Sequence, residues 1–282
     1  MSMDKNMEPK VSVKMSQRLI TLSNMLAEGS EMLSDISRKG ELMESNSSVS
    51  FGRVADVGCD HGYISIYLVQ SGIAEAAIAM DVRKGPLTGA LSNIRDYGLE
   101  DRITTRLSDG LKELKPGEAD SLVIAGMGGK LMIRILEEGK PSDLGIRAAV
   151  LQPQSEFSEV REYLRDNGFL ILDERVVFED GKYYFPMKVL WGNADNRGVF
   201  DEVIKDLMSA TGTDSDTAVS ICNRFGECNI KRKDKLLLDY LKHGMEVSAS
   251  ILKNLDENTH PQRYHEVEKE YRENEILVRY YS

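Results

Sequence analysis

The sequence of 282 residues is poor in the residues that build metal, disulfide and membrane chemistry. Its three cysteines, Cys59, Cys222 and Cys228, are odd in number and lack CxxC spacing, which supports neither a disulfide framework nor a zinc site. The four histidines, His61, His243, His260 and His265, form no HExxH pair, so a metallohydrolase is not expected and no metal is assigned. No apolar run approaches the roughly 18 to 20 residues of a membrane span, and Met1 to Met15 lacks the apolar core of a secretory signal. A cytoplasmic location without a membrane partner is the expectation. Positive charge is also in deficit. The 36 Lys and Arg against 46 Asp and Glu leave a net −10, which argues against indiscriminate nucleic-acid binding, because Lys and Arg contacts to phosphate supply most of that affinity. A local basic face remains compatible with RNA, so the distribution of charge matters more than its sum.

What is present is the composition of an ordinary globular chain, long enough for one or two domains with a substantial core. Residues 1–15 read as a disordered leader. From Ser16, the positions Leu19, Ile20, Leu22, Met25 and Leu26 share a helix face that would cap a sheet. A weaker pattern at Met32, Leu33 and Ile36 is followed by a Ser45–Ser48 loop. From Val54 to about Trp191 strands and helices alternate, as in a doubly wound parallel sheet. The expected strands are Val54–Val57, Ala76–Asp81, Ile103–Leu107, Asp120–Ala125 and Ala148–Leu151. Two further runs, Phe169–Phe178 and Tyr183–Leu190, flank the turn Glu179-Asp180-Gly181-Lys182, so the sheet should end in an antiparallel pair. After Asn193 the text becomes helical: one helix through Phe200 and Leu207, a long one over Lys231–Leu255, and another over Tyr264–Tyr280. The last two should form an antiparallel, coiled-coil-like hairpin.

The chain is organised around Asp56-Val57-Gly58-Cys59-Asp60-His61-Gly62-Tyr63, a strand end and glycine turn that open into a helix through Ile64–Val69. Glycine lets backbone approach a ligand, and helix amides point at it. The spacing Gly58-x-x-x-Gly62 is not the phosphate-binding GxGxxG, and two acids in the turn would repel a pyrophosphate. They suit a cofactor with an amine or a sulfonium, which makes S-adenosylmethionine the first candidate. Ligands of open parallel sheets bind beyond the carboxyl ends of the strands. Asp81 there could accept ribose hydroxyls, and Asp109 an adenine amino proton, with Gly110 leaving room for the ring. Each acid alone reads better as an N-cap or turn residue; three at successive strand ends shift the balance toward a ligand site. A dinucleotide dehydrogenase is disfavoured by the missing GxGxxG.

These motifs, together with Asp81-Val82-x-x-Gly85-Pro86, Ser108-Asp109-Gly110-Leu111, Ile124-Ala125-Gly126-Met127-Gly128-Gly129, Leu151-Gln152-Pro153 and Leu164-x-x-Asn167-Gly168, resemble the bacterial tRNA (adenine-22, N1)-methyltransferases, the TrmK family. Where that family tends to have Gly-Ser-Asp-His-Ala-Tyr-Leu-Pro, this chain carries Cys59, Gly62, Ile64 and Ser65. The resemblance implies a class I methyltransferase sheet over 16–192, a helical tRNA-binding domain over 193–282, and methyl transfer from S-adenosylmethionine to N1 of an adenine in the D-arm, leaving S-adenosylhomocysteine. It implies a cofactor set of Asp56, Gly58, Cys59, Asp81, Val82, Asp109, Gly110, Ala125, Gly126 and Gln152. Asp60 is the candidate for stabilising charge developing on the ring. Met127, His61 and Tyr63 are candidates for packing on the base or orienting Asp60, although His61 could equally serve the turn as a structural hydrogen-bonding group. Arg224, Lys231, Arg232, Lys233, Lys235 and Lys242 are the candidate tRNA contacts, against the plain alternative of a solvated helix face. No stable protein partner is implied, and a monomer is expected. The rival readings are a methyltransferase for another RNA, a protein or a small molecule, and a non-catalytic RNA-binding protein with a vestigial cofactor fold.

Overall fold

The computed structural model describes residues 15–28, 51–191 and 198–282. Nearly all of the expected leader, the Met32–Ile36 pattern, the Ser45–Ser48 loop and residues 192–197 lie outside them. In chain order the elements begin with α1 (Gln17–Ala27), β1 (Phe51–Val57), α2 (Tyr63–Gln70), β2 (Ala74–Asp81), α3 (Lys84–Asp96) and β3 (Ile103–Leu107). They continue through β4 (Ser121–Met127), α4 (Gly129–Gly139), β5 (Ala148–Pro153), α5 (Phe157–Asp166) and β6 (Phe169–Glu174). The sheet region closes with β7 (Val177–Glu179), β8 (Lys182–Tyr184) and β9 (Met187–Trp191).

Seven strands form one sheet in the order β3-β2-β1-β4-β5-β9-β6. The inner parallel strands, β1, β2, β4 and β5, read as largely apolar runs because helices cover both faces, whereas β3 at the edge is mostly polar. Alternation along each strand decides the face. Val54, Val123 and Val150 join Leu22, Met25 and Leu26 of α1, while Ala55, Ile124 and Leu151 join Met132, Leu136, Val160 and Leu164 of α4 and α5. The expected antiparallel ending is present in altered form. β9 runs antiparallel to both β5 and β6 and lies between them. The turn at 180–181 instead joins β7 to β8 in a separate two-stranded ribbon. Each of the two long runs breaks in its middle, the second at Pro186, where a missing N–H stops the ladder.

The C-terminal part comprises α6 (Gly198–Thr211), α7 (Ser215–Phe225), α8 (Glu227–Lys231), α9 (Lys235–Asn254) and α10 (Pro261–Tyr281). The sequence expectation missed α7 and α8 and began the long helix too early. Asp234 explains the true start of α9, since its side chain accepts from Leu236 N at 2.9 Å and Leu237 N at 3.2 Å, an N-cap contributing about 1 kcal/mol. Asp214 caps α7 in the same way through Thr217 N, 2.8 Å. Gly226, at φ 86°, separates α7 from α8, and a Cβ there would lie 2.2 Å from the Glu174 carboxylate.

The helices are not merely tethered to the sheet. Arg161 of α5 and Glu174 of β6, both fully buried, pair at 2.6 Å. Glu174 also accepts from Cys228 N at 3.0 Å, and Arg161 donates to the carbonyls of Asn223 and Arg224. Arg165 pairs with the buried Glu227 at 3.1 Å and its guanidinium lies 4.1 Å from the Phe200 ring centre. Burial and the neighbouring Glu174 charge push the Glu227 carboxyl up to about 7. Val176 and Phe185, which flank the β7–β8 ribbon, share a core with Phe200, Leu207, Phe225 and Leu237.

Candidate active site

A cleft of about 680 Å³ opens at the carboxyl ends of β1 to β4, within the size range of small-molecule sites. Its floor is the Gly58 turn. Gly58 sits at φ 76°, and a Cβ there would fall 2.2 Å from Met127 Cε, so Met127 lies directly across this glycine. The amides of Gly58 and Cys59 both donate to Met80 O, at 2.8 and 3.0 Å, which ties the turn to β2. Asp60 follows at φ 49° and is 66 % exposed, with His61 Nε2 3.8 Å from its carboxylate. His61 rests on Gly89 of α3, where a Cβ would come within 3.0 Å of Nδ1. The His61 carbonyl accepts from Asn93 Nδ2 at 2.9 Å. His61 therefore braces the turn and borders the cleft at once.

All four candidate catalytic residues, Asp60, His61, Tyr63 and Met127, line the cleft, as do Gly58, Cys59, Asp81, Val82, Asp109, Gly110, Ala125 and Gly126. Burial and the surrounding carboxylates push the Cys59 thiol upward, so it stays a neutral thiol. Two members of the expected cofactor set are not in the lining. Asp56 is buried beneath the turn and accepts from Ser65 Oγ at 2.7 Å, and desolvation raises its carboxyl to about 6. It anchors the first turn of α2 because its position on β1 faces that helix. Gln152, also fully buried, donates to Pro153 O and accepts from Arg18 Nη1 at 2.7 Å. Gln154, two residues on and beyond the strand, is the one that reaches the cleft.

The lining adds residues that the sequence reading did not single out, among them Arg18, Arg83, Leu131, Arg134 and Gln154. The charges sort into pairs. Asp81 Oδ1 accepts from Arg83 N at 2.8 Å and lies 3.5 Å from Arg83 Nε. Asp109 is held by Lys112 at 2.7 Å and Arg134 at 3.4 Å, which keeps its carboxyl below the usual range, Lys112 contributing most. Val82, Tyr63 and Leu131 expose apolar surface into the same space. With three arginines beside three aspartates, such a cleft suits a ligand with hydroxyl groups, an apolar ring and charges of both signs.

The expected tRNA contacts fare differently. Arg224 pairs with Glu273 at 3.2 Å, Lys231 with Glu202 at 2.6 Å and Arg232 with Asp173 at 3.0 Å, while Lys233 donates to Tyr280 O at 3.0 Å. Carboxylates thus meet Arg224, Lys231 and Arg232, Lys233 has a neutral acceptor, and Lys231, Arg232 and Lys233 remain exposed. Lys235 and Lys242 are exposed on α9.

The family model described as "Methyltransferase domain" matches residues 41–187. The chain belongs to this family. The chain is 40 % identical over 144 residues to the tRNA (adenine(22)-N(1))-methyltransferase of Bacillus subtilis, a match covering 51 % of the chain and 59 % of that relative. The chain thus spans about three-fifths of the length of this curated relative. The solved structure of the B. subtilis M1A22 tRNA methyltransferase TrmK superposes with a TM-score of 0.71 at 27 % identity, covering 94 % of this chain and 99 % of that one. M. capricolum TrmK, solved with S-adenosyl-homocysteine, shares the fold with a TM-score of 0.67 at 22 % identity, covering 95 % and 99 %. The TrmK resemblance seen in the motifs agrees with these relatives, and the structural likeness to the B. subtilis enzyme takes in the C-terminal helices as well as the sheet.

Proposed function

We propose that this protein transfers a methyl group from S-adenosylmethionine to N1 of adenine 22 in tRNA. The observation that carries the chemistry is the cleft's acidic turn: Asp60 is the one lining carboxylate without an Arg or Lys partner among the described residues. The substrate is inferred from the activity named for the B. subtilis relative.

The residues fit the cofactor. Asp81, nearly buried, spends Oδ1 on Arg83 N and keeps Oδ2 for a ribose hydroxyl. Gly58 and Gly110, both at positive φ, hold backbone where side chains would intrude, and Ile135 packs beneath Gly110. Val82 and Leu131 supply apolar contact for an aromatic ring. When bound, S-adenosylmethionine supplies an electrophilic methyl group on a sulfonium.

Adenine N1 has an in-plane lone pair, so the protein needs no general base toward it. Its task is alignment, which contributes several kcal/mol. Asp60 offsets positive charge as it grows on the ring. Met127 and Tyr63 offer the apolar surfaces that receive an unstacked base, since N1 lies on the pairing edge. The domain at 16–192 performs the transfer. The helices of 193–282 hold the tRNA, with Lys235 and Lys242 as exposed cations. The protein works as a cytoplasmic monomer. Mass spectrometry of nucleosides from tRNA incubated with protein and cofactor tests the reading: 1-methyladenosine at position 22 is expected, and unmodified tRNA in the presence of bound cofactor would overturn it.

A further inference from the structure

Three arginines line the cleft, and they differ in how their charge is met. Arg83 faces Asp81 and Arg134 faces Asp109. Arg18 faces no carboxylate among the described residues. Its Nη1 donates to the neutral amide oxygen of Gln152 at 2.7 Å, and its guanidinium lies 5.0 Å from the centre of the Tyr184 ring. Only its backbone N–H meets an acid, Glu179, at 3.3 Å. The side chain is thus held between β5 and the β7–β8 ribbon, with its remaining donors free of a counter-charge. A guanidinium carries five N–H donors in a rigid fork suited to two oxygens of one anion. A half-buried cation with only neutral partners is under-satisfied until such an anion arrives.

The pairing leaves Arg18 and Asp60 as the unmatched charges of opposite sign in the lining, with Arg18 on the β5 side and Asp60 on the β1 side. We infer that Arg18 is an oxyanion-binding residue of the reacting complex, holding a carboxylate or phosphate at the β5 side of the cleft while Asp60 faces the positive charge. This rests on the proposed methyl transfer, which offers two sources of that group. One is the amino-acid carboxylate of the cofactor; the other is a phosphate flanking the target adenosine. Helix α1 delivers Arg18 from its first turn, fixed by the Ser16 cap and by Leu22, Met25 and Leu26 buried against the sheet.

The test uses the full-length protein and Arg18→Gln, with Arg18→Lys as the charge-keeping variant. Calorimetry measures affinity for S-adenosylhomocysteine and for 5′-methylthioadenosine, which lacks the carboxylate, and steady-state kinetics measures KM for tRNA. If the carboxylate is the ligand, Arg18→Gln weakens S-adenosylhomocysteine by about 10- to 100-fold and leaves methylthioadenosine unchanged. If a phosphate is the ligand, both nucleosides bind normally and KM for tRNA rises about tenfold with a shallower salt dependence. Either result supports the inference, and Arg18→Lys should restore most of the loss. Unchanged binding and KM, or equal loss for every ligand with a lowered melting temperature, would make Arg18 a mere brace and overturn it. An inactive wild type that still binds S-adenosylhomocysteine through Arg18 would refute the proposed methylation while sparing this inference.

Discussion

Replacing Glu174 by Gln tests how the C-terminal helices are joined to the sheet. The substitution keeps size, but Arg161 Nε and Cys228 N bind different oxygens of Glu174 and the amide offers one, so only one of these donors keeps an acceptor. Also lost is the charge opposite Arg161, which has no exposure and whose Nη2 makes no hydrogen bond. Breaking a buried ion pair by removing one partner costs about 3–5 kcal/mol. With an unfolding entropy of roughly 2.1 cal/mol/K per residue over the whole chain, that corresponds to a fall of about 5–8 °C in melting temperature. The effect should depend on pH. Glu227 has its folded pKa raised from 4.5 to about 7, with the Glu174 charge as the second cause after burial. Its stabilising contribution is therefore present below pH 4.5 and lost as pH rises through 7. Without the Glu174 charge that loss shrinks, so the gap between wild type and variant should narrow from pH 5 to pH 8. Urea unfolding at the two pH values measures both. A variant within about 1 kcal/mol of wild type throughout would show that Arg161 finds its counter-charge elsewhere and that the interface reasoning is wrong.

Asp56→Asn should stabilise the protein by about 3 kcal/mol at pH 8, because the buried carboxyl is raised from 3.8 to about 6 and its charged form is penalised above that value. The advantage should vanish near pH 4, and affinity for S-adenosylhomocysteine should change less than threefold; chemical denaturation and calorimetry check the two parts. Asp60→Ala should lower single-turnover methylation by about 100-fold, in line with loss of one charge-stabilising group, while cofactor affinity holds. A near-normal rate would remove Asp60 from the chemistry. Gly58→Ala places a Cβ at φ 76° and 2.2 Å from Met127 Cε. It should cost about 1–2 kcal/mol of stability from backbone strain and a larger loss of cofactor affinity, read by thermal melting with and without S-adenosylhomocysteine.

Period and punctuation made the sheet legible. Ile103–Leu107 was expected as a strand and is one, and the glycine turn and the strand-end acids Asp81 and Asp109 meet in one cleft as their spacing suggested. Alternation limited the rest. Asp56 and Asp60 both look like cleft acids in the text, yet Asp56 projects under α2 and Asp60 outward, a distinction that rests on where Ser65 lands. Gln152 and Gln154 divide in the same way. The acids that pair with Arg224, Lys231 and Arg232, namely Glu273, Glu202 and Asp173, could not be foreseen because they lie far away in sequence and only the fold brings them close. Arg18 was hidden for a related reason. It is a charged residue on an amphipathic helix, and nothing local reveals that α1 crosses the sheet to reach Gln152 and Tyr184.

The position of β9 has a consequence for how this chain is made. As synthesis proceeds, β5 and β6 emerge with a vacant lane between them, and the strand that fills it, Met187–Trp191, arrives last. At a ribosomal rate of roughly 5–20 residues per second, the 38 residues from Pro153 to Trp191 leave the inner edge of β5 unpaired for about 2–8 s. Arg161 and Glu174 wait longer, until α7 and α8 close over them. A nascent chain stalled in that interval presents a bare strand edge beside a pair of charges still in water, a state prone to pairing with other chains and released only by translating the helices that follow.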